Sequence, residues 1–237
     1  MPIQQRKEIE IKLKIGDNLK SFDEYRYLLN QLKFKHVSSR VETDFLPDTD
    51  DGLCKKNHLL LRFRKVESHD TTKWLLTLKK RIDTNNVMDF VEIETDFSNI
   101  DNDTFNYINQ LLFENTKLTL PTKVLKASSI KQVRDIVSKC GFMASRILLD
   151  KYREEYSKAT DNVTLDFFPD GMGAYMEIES YTRAKLDAVA KKLGVVPKDI
   201  ITTDYGDLLK EHKKYLSNEQ QRIALFSDSI RSKYLEK

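Results

Sequence analysis

The sequence predicts an α+β protein that is mainly β, in which about eight antiparallel strands form a closed, tunnel-shaped barrel with flanking helices. Charged residues alternate with large apolar residues in short runs, beginning with Glu8-Ile9-Glu10-Ile11-Lys12-Leu13. The alternation returns in later runs such as Leu61-Arg62-Phe63-Arg64 and Met176-Glu177-Ile178-Glu179. Because the side chains of a strand point to opposite faces with period two, the charges of each run share one face. If these faces converge inside a closed sheet, they form a polar tunnel that suits a highly charged ligand.

The strand-like segments are short, and turn-forming residues bound several of them, as in Pro47-Asp48-Thr49-Asp50-Asp51-Gly52. The predicted strands are 6–15, 37–46, 59–66, 73–80, 88–96, 146–158, 162–168 and 174–181. Short polar loops join the third strand to the fourth and the sixth to the seventh, and this spacing predicts two hairpins.

Other segments carry apolar residues at helical spacing, as Phe22, Tyr25 and Leu29 do in 17–34. Thr182 suits the N-cap of one such segment, and Gly194 suits its end. The predicted helices are 17–34, 104–113, 130–140, 183–193, 204–215 and 218–234. Their apolar faces would cover the apolar faces of the strands, which leaves the charged faces for the interior.

Overall composition excludes several classes of function. The chain of 237 residues has 40 basic and 37 acidic residues and a net charge of +3, so no strong field favours nucleic acid or an anionic membrane. No apolar run approaches the length of a membrane span, and 1–12 is too charged for a secretory signal. Cys54 and Cys140 match no metal-binding spacing, and we expect reduced thiols in a cytoplasmic protein.

No shift in composition divides the chain into independent domains. We expect one domain over residues 1–216 and a C-terminal helical extension over 217–237 that packs on it. The sequence leaves open whether the protein is a monomer or a homodimer.

The charges on the shared faces are of two chemical kinds. Carboxylate oxygens suit hard divalent cations, whereas arginine forks and lysine ammonium groups suit phosphate oxygens. A metal combined with a basic clamp is the equipment of phosphoryl transfer. Any one run could be a solvated strand face, but the repetition favours a shared site. The residues assigned to the inner face are Glu8, Glu10, Lys12, Arg62, Arg64, Lys79, Glu92, Glu94, Lys151, Arg153, Asp166, Glu177 and Glu179.

The order of these motifs resembles that of the CYTH superfamily, the triphosphate tunnel metalloenzymes related to CyaB and thiamine triphosphatase. Glu8-Ile9-Glu10-Ile11-Lys12 resembles the family's E-x-E-x-K signature, and Leu61-Arg62-Phe63-Arg64 resembles its L-R-x-R strand. The resemblance covers about residues 6–210, and the remaining matches are Thr77-Leu78-Lys79, Glu92-Ile93-Glu94, Lys151-Tyr152-Arg153, Leu165-Asp166 and Glu177-Ile178-Glu179.

The resemblance implies an eight-stranded tunnel in which a small-molecule triphosphate is hydrolysed with Mg²⁺, or with Mn²⁺ in its place. The residues it implies for metal binding are Glu8, Glu10, Asp166, Glu177 and Glu179. Those implied for triphosphate binding are Lys12, Arg62, Arg64, Lys79, Lys151 and Arg153. Those implied for catalysis are Glu8, Glu10, Lys12 and Glu179, while Glu92 and Glu94 would orient basic residues or a water.

Departures from the family pattern bear on the substrate. Leu46 stands where tripolyphosphatases of the family carry a tyrosine, and Leu60 stands where thiamine-triphosphate-selective members carry a tryptophan. Segment 1–7 lacks the His-Phe pair that precedes the signature in cyclase-type members. Inorganic tripolyphosphate is the favoured substrate, followed by thiamine triphosphate or a nucleoside triphosphate. An adenylate cyclase and a non-catalytic polyphosphate- or nucleotide-binding module are the alternatives.

Overall fold

The computed structural model describes residues 6–83, 88–143 and 147–236. Ten strands form one sheet in this part of the chain. They are β1 (Arg6–Gly16), β2 (Lys35–Leu46), β3 (Leu59–Glu67), β4 (Thr72–Asp83), β5 (Met88–Asp96), β6 (Ile147–Lys158), β7 (Asp161–Phe168), β8 (Gly173–Ser180), β9 (Ile200–Ile201) and β10 (Ile223–Ala224).

Each of the eight long strands pairs with two long neighbours. The pairing order is β6-β2-β3-β4-β5-β1-β8-β7, and β7 pairs with β6 as well, which links the two ends of this order. All these pairings are antiparallel. The prediction of a mainly β, antiparallel protein with flanking helices is therefore confirmed, and so are both hairpins.

The predicted number of strands is corrected from eight to ten, because β9 pairs with β1 and β10 pairs in parallel with β6. A strand of two residues is too short to show period-two alternation, so the sequence pattern could not reveal either one.

The α-helices lie between and after the strands. They are α1 (Phe22–Gln31), α2 (Leu53–Lys56), α3 (Asn102–Thr116), α4 (Ile130–Ser138), α5 (Arg183–Lys192), α6 (Tyr205–His212) and α7 (Asp228–Leu235). The side chains of Asp101, Thr182 and Asp204 cap α3, α5 and α6 by accepting backbone N–H groups of the first turn. In the described part of the chain, no helix has the length and apolar character needed to cross a bilayer.

The predicted continuous helix over 218–234 is wrong. Gln220–Arg222 forms a 3-10 turn, β10 follows it, and α7 begins only after Ser227. The reason is tertiary, because Ile223 and Ala224 add a strand beside Leu148 and Leu149 of β6. The short helix α2 was not predicted.

The helices cover the apolar faces of the strands. One buried cluster joins Phe22 and Leu29 of α1 with Leu186 of α5 and apolar residues of β1, β7 and β8. A second cluster joins Ile108 of α3 and Val133 of α4 with residues of β3, β4 and β5. Since alternate residues point to opposite faces, the charged residues of these strands lie on the side away from the helices.

The C-terminal segment is fastened to the outer face of β2 and β6 by a buried charge. Asp150 of β6 is fully buried, and both its carboxylate oxygens lie 2.8 Å from a terminal nitrogen of Arg231 in α7. The backbone N–H of Phe226 donates to the same carboxylate at 2.9 Å, and Thr43 donates to it at 2.7 Å. Arg231 also pairs with Glu67 of β3.

The substitution Arg231→Met is expected to lower the free energy of unfolding by about 3 kcal/mol, because it leaves the buried Asp150 carboxylate without its cation. Urea denaturation at pH 7 measures this loss. The matched control is Arg183→Met, because Arg183 forms an exposed pair with Asp187 at i,i+4. The control should change stability by less than about 0.5 kcal/mol. Equal effects of the two substitutions would contradict the role given to Asp150.

Candidate active site

Most charged residues that the sequence places on the inner face are withdrawn from water. Glu10, Lys12 and Arg64 are 6%, 3% and 4% exposed. Lys151, Arg153, Asp166 and Glu177 are buried as well, and Glu92 is 9% exposed. Arg62, Lys79 and Glu179 are partly buried, and Glu94 is exposed. A buried charge is tolerated only when opposite charges or an ion compensate it, and the side chains supply that compensation in two ion-pair networks.

Arg153 of β6 is the centre of the first network. Its Nε lies 2.6 Å from Asp166 Oδ1 and its terminal nitrogen 2.5 Å from Oδ2, so the guanidinium binds this carboxylate with two parallel hydrogen bonds. The same terminal nitrogen lies 2.6 Å from Glu177 Oε2 of β8. Asp166 faces Arg153 directly in the β6–β7 register, so strand pairing sets this geometry.

Glu42 of β2 joins the other members of the first network. Glu42 Oε2 lies 2.9 Å from Arg64 and 3.2 Å from the ammonium of Lys151. Arg64 also binds Asp44 with two hydrogen bonds of 2.5 and 2.7 Å, because the two residues face each other in the β2–β3 register. Lys151 lies 3.4 Å from Asp166, which connects β2 and β3 with β7.

The second network joins β1, β3, β4 and β5. The ammonium of Lys79 lies 3.0 Å from Glu10 and 3.2 Å from Glu92. Arg62 lies 3.5 Å from Glu92 and 3.0 Å from Glu94, and Thr77 donates to Glu94 at 2.9 Å. Glu10 and Lys12 lie on the same face of β1, so this strand borders both networks.

Lys12 is held differently from the other cations. Its ammonium lies 3.7 Å from Glu177 Oε1 and donates to the backbone carbonyl of Thr203 at 3.3 Å. It also lies 4.0 Å from the ring centroid of Tyr205, within the range of a cation–π interaction. The Tyr205 hydroxyl donates to Asp166 Oδ2 at 3.3 Å.

The positive charges of the networks lower the pKa of several of their carboxylates. Burial alone would raise the pKa of Glu42, but the positive charges of Arg64, Lys151 and Arg153 outweigh it and hold the pKa well below its ordinary value. The same opposition lowers the pKa of Glu92 to about 2, with Lys79 and Arg62 as the compensating cations. Burial and the positive charge of Arg153 lower the pKa of Lys151.

Some members of the networks were missed by the motif analysis. Arg40, Glu42 and Asp44 alternate with Val41, Thr43 and Phe45 along β2, so the period-two signal was present in the sequence. Arg40 pairs with Glu42 at 2.7 Å and with Glu155 of β6 at 2.5 Å. Tyr205 carried no such signal, because it lies on α6 and reaches the network only through the tertiary fold.

Glu8 and Glu179 are the remaining carboxylates that the sequence assigns to the inner face. The side chain of Glu8 lies outside the described residues. Glu179 lies beside a concavity of about 200 Å³ that Asn162 and Glu155 also line. It faces Glu10 directly in the β1–β8 register. Two carboxylates in that relation repel each other unless a cation compensates them.

The oxygen donors of this region fit a hard divalent cation. Among the described residues, Thr164 Oγ1 and Asn162 Oδ1 are buried and have no hydrogen-bond partner, and the two residues face Glu177 and Glu179 in the β7–β8 register. Within the described ranges, no three Asp, Glu, His or Cys side chains converge as a ready cage. Mg²⁺ commonly binds one or two carboxylates and completes its coordination with water and substrate phosphates, so this arrangement suits it.

The fold and the paired charges define a class of proteins in which long antiparallel strands of one sheet present ionic side chains on a shared face. The family model of the CYTH domain matches residues 6–205, and the chain belongs to this family. This result confirms the resemblance drawn from the motifs. The comparison with curated proteins gives no significant match.

Solved structures of similar fold cover most of the chain. A conserved hypothetical protein from Pyrococcus furiosus is 21% identical with a TM-score of 0.60, over 85% of this chain and 99% of that one. A proposed adenylate cyclase from Vibrio parahaemolyticus is 16% identical with a TM-score of 0.60, over 87% and 99%. HpAC1 from Hippeastrum, a proposed adenylyl cyclase described as having a dominant triphosphatase activity, is 20% identical with a TM-score of 0.50, over 90% and 99%. At these identities the likeness is one of fold.

The lowered pKa of Glu42 predicts that its contribution to stability depends on pH. A carboxylate whose folded-state pKa lies below its unfolded-state value of about 4.5 stabilises the fold above that pH, and loses the contribution as the pH falls further. Glu42→Gln should therefore cost about 3 kcal/mol at pH 7, and the difference from wild type should shrink below about pH 4.5. Urea titrations between pH 7 and pH 3.5 measure this difference in the free energy of unfolding.

The control for this measurement is Glu211→Gln, which removes a solvent-exposed partner of Lys214. Its cost should stay below about 0.5 kcal/mol at every pH. A difference between wild type and Glu42→Gln that is constant with pH would contradict the assignment of an ionised Glu42.

Proposed function

We propose that this chain is a metal-dependent triphosphatase that hydrolyses a phosphoanhydride bond inside a charged tunnel formed by the eight long strands. The observation that carries the proposal is the convergence of lysines and arginines from four strands. Lys12 of β1, Arg62 and Arg64 of β3, Lys79 of β4, and Lys151 and Arg153 of β6 all belong to the ion-pair networks. Family membership supports the same conclusion.

The charge balance of the networks explains why both a polyanion and a cation would be needed. With Arg40 the described networks hold seven cations, which are matched by eight described carboxylates: Glu10, Glu42, Asp44, Glu92, Glu94, Glu155, Asp166 and Glu177. A triphosphate that entered alone would leave a large excess of negative charge in a partly desolvated space. A divalent cation that entered with it would offset this excess, so the proposed reaction is metal-dependent.

The arginines would hold the substrate. Arg64 and Arg153 already hold carboxylates with two parallel hydrogen bonds, and a phosphate presents oxygens in a similar fork. Binding would exchange part of these carboxylate contacts for phosphate contacts. As charge shifts between the phosphoryl oxygens in the transition state, guanidinium and ammonium groups already in place stabilise it without reorganisation.

The metal would be Mg²⁺, with Mn²⁺ as the alternative. Glu10 and Glu179, which face each other across β1 and β8, would hold it together with Glu8, and Glu177 and Asp166 would complete the carboxylate set. Such an ion polarises phosphoryl oxygens and activates water.

Inorganic tripolyphosphate is the favoured substrate. The described contacts of the two networks are made by charged groups, hydroxyls and one backbone carbonyl, and their one aromatic member, Tyr205, already lies against Lys12. Such a lining suits linked phosphates better than an organic base. Thiamine triphosphate and nucleoside triphosphates come next.

A phosphate-release assay with tripolyphosphate, thiamine triphosphate and ATP, each with Mg²⁺ and with Mn²⁺, tests the proposal. Wild type should release phosphate, and EDTA should abolish the release. Glu10→Gln should lower kcat/KM at least about 100-fold, because it weakens metal binding beside Glu179. The control is Glu24→Gln on the exposed face of α1, which should leave the activity unchanged.

The other outcomes identify other functions. Conversion of ATP to cyclic AMP without phosphate release would replace the hydrolase by a cyclase. Micromolar binding of tripolyphosphate without turnover at any metal concentration would leave a binding module.

Arg64→Lys keeps one positive charge but removes the fork, and it should raise KM for tripolyphosphate about 10-fold or more with a smaller change in kcat. Steady-state kinetics at fixed Mg²⁺ measure the two constants separately. Lys65→Ala is the control, because Lys65 is the next residue of β3, points to the opposite face and pairs with Glu67. Unchanged kinetics in Arg64→Lys would remove Arg64 from the substrate site.

A further inference from the structure

The chain between α5 and α6 returns to β1 at the position of Lys12. In β9, Ile201 pairs with Lys12 and Ile200 pairs with Leu13. Two residues further on, the carbonyl of Thr203 accepts from the Lys12 ammonium at 3.3 Å. Tyr205, the first residue of α6, places its ring centroid 4.0 Å from the same nitrogen. A short segment, residues 200–205, therefore contacts both the backbone and the charged end of Lys12.

The ring of Tyr205 is itself held in place. Its centroid lies 4.4 Å from that of Phe168 and 5.4 Å from that of Tyr175. Its hydroxyl donates to Asp166 at 3.3 Å, and Asp166 is fixed by Arg153. Asp204, the preceding residue, caps α6 through Asp207 N–H at 2.8 Å, which sets the direction in which Tyr205 leaves the helix.

The shortest described ion pair of Lys12 is longer than the shortest described ion pair of any other cation in the two networks. Lys12 lies 3.7 Å from Glu177, whereas Lys151 lies 3.2 Å from Glu42 and Lys79 lies 3.0 Å from Glu10. An aromatic face attracts a cation through its quadrupole and does not need to accept an N–H donor. An ammonium has three donors, so a lysine held by a ring keeps donor capacity for a ligand.

We propose that Tyr205 is a positioning residue whose ring holds the Lys12 ammonium in the interior of the sheet, so that this lysine donates to a phosphoryl oxygen of the bound triphosphate. The inference rests on the proposed function and adds how the Lys12 ammonium is oriented towards the substrate. Lys12 also pairs with Glu177 at 3.7 Å, and the ammonium of Lys151 lies farther from the Tyr205 ring centroid, at 5.7 Å. The ring contact of Lys12 does not have to be exchanged for a phosphate contact when the substrate binds.

The test compares Tyr205→Phe with Tyr205→Leu. The ring is the working part, so Tyr205→Phe should keep kcat within about 3-fold of wild type, while Tyr205→Leu should lower kcat about 10-fold, in line with the strength of a cation–π contact. KM should change less than kcat in Tyr205→Leu. Tyr215→Leu is the control, because Tyr215 is 89% exposed on the surface. A role confined to the hydroxyl bond with Asp166 would make Tyr205→Phe as defective as Tyr205→Leu and would overturn the proposal.

A double variant separates positioning of Lys12 from general support of the fold. If Tyr205 acts through Lys12, then Lys12→Met combined with Tyr205→Leu should be no slower than Lys12→Met alone. If the decrease in kcat of the double variant equals the product of the decreases in the two single variants, the proposal is overturned. The melting temperature of each variant is measured together with its kinetics. The difference in kcat between Tyr205→Phe and Tyr205→Leu must not be explained by a difference in their melting temperatures.

A readout that needs no turnover keeps this test distinct from that of the triphosphatase. In protein labelled with ¹³C-lysine, the ε-methylene resonance of Lys12, assigned by its loss in Lys12→Met, should show an upfield ring-current shift. The shift should persist in Tyr205→Phe and vanish in Tyr205→Leu. If wild type binds tripolyphosphate without hydrolysing it, the triphosphatase proposal fails. In that case the positioning role stands only if Tyr205→Leu weakens tripolyphosphate binding by more than about 3-fold and Tyr205→Phe does not. Absence of the shift in wild type, or absence of tripolyphosphate binding, overturns the role.

Discussion

The compensation of buried charges across neighbouring strands is the constraint on which the site depends. Glu42 lies between cations of β3 and β6, and Arg153 lies between carboxylates of β7 and β8. Removing water from any one of these groups is costly, and only the opposite charge on the next strand offsets that cost. The register of the sheet therefore decides which buried charges compensate each other. A shift of one residue in one strand would turn its charges towards the apolar clusters.

The two faces of β6 show how fold and site are joined. On the inner face, Lys151 and Arg153 belong to the first ion-pair network. On the outer face, Asp150 binds Arg231 of the C-terminal segment. Tyr152, the residue between the two cations, stacks on Tyr234 of α7 with ring centroids 4.7 Å apart. The helices and the C-terminal segment therefore pack on the outer face of β6, and the inner face of the same strand carries the substrate-binding candidates Lys151 and Arg153. The CYTH-domain match ends at residue 205, so the contacts of Arg231 and Tyr234 come from beyond it.

The residues of the site that the sequence predicts are those with a local alternation of charged and apolar residues. Period-two alternation placed Glu10, Lys12, Arg153 and Glu177 on a common face, and the structure buries all four. The same signal was present in Arg40, Glu42 and Asp44, but the motif reading gave β2 no part in the inner charges. Tyr205 could not be found in this way, because its contact with Lys12 spans 193 positions of the sequence and depends on β9 and the cap of α6.

By itself, the sequence determined which segments become the long strands, which face of each carries charge, and that apolar helix faces cover the other side. These properties follow from the spacing of residue types within a few positions. Tertiary structure alone decided which carboxylate meets which cation, that residues 223–224 become a strand instead of part of a helix, and that an aromatic ring meets Lys12. The physical reason is that charge pairing and strand addition depend on which backbones lie side by side, and local periodicity does not encode the choice of neighbour.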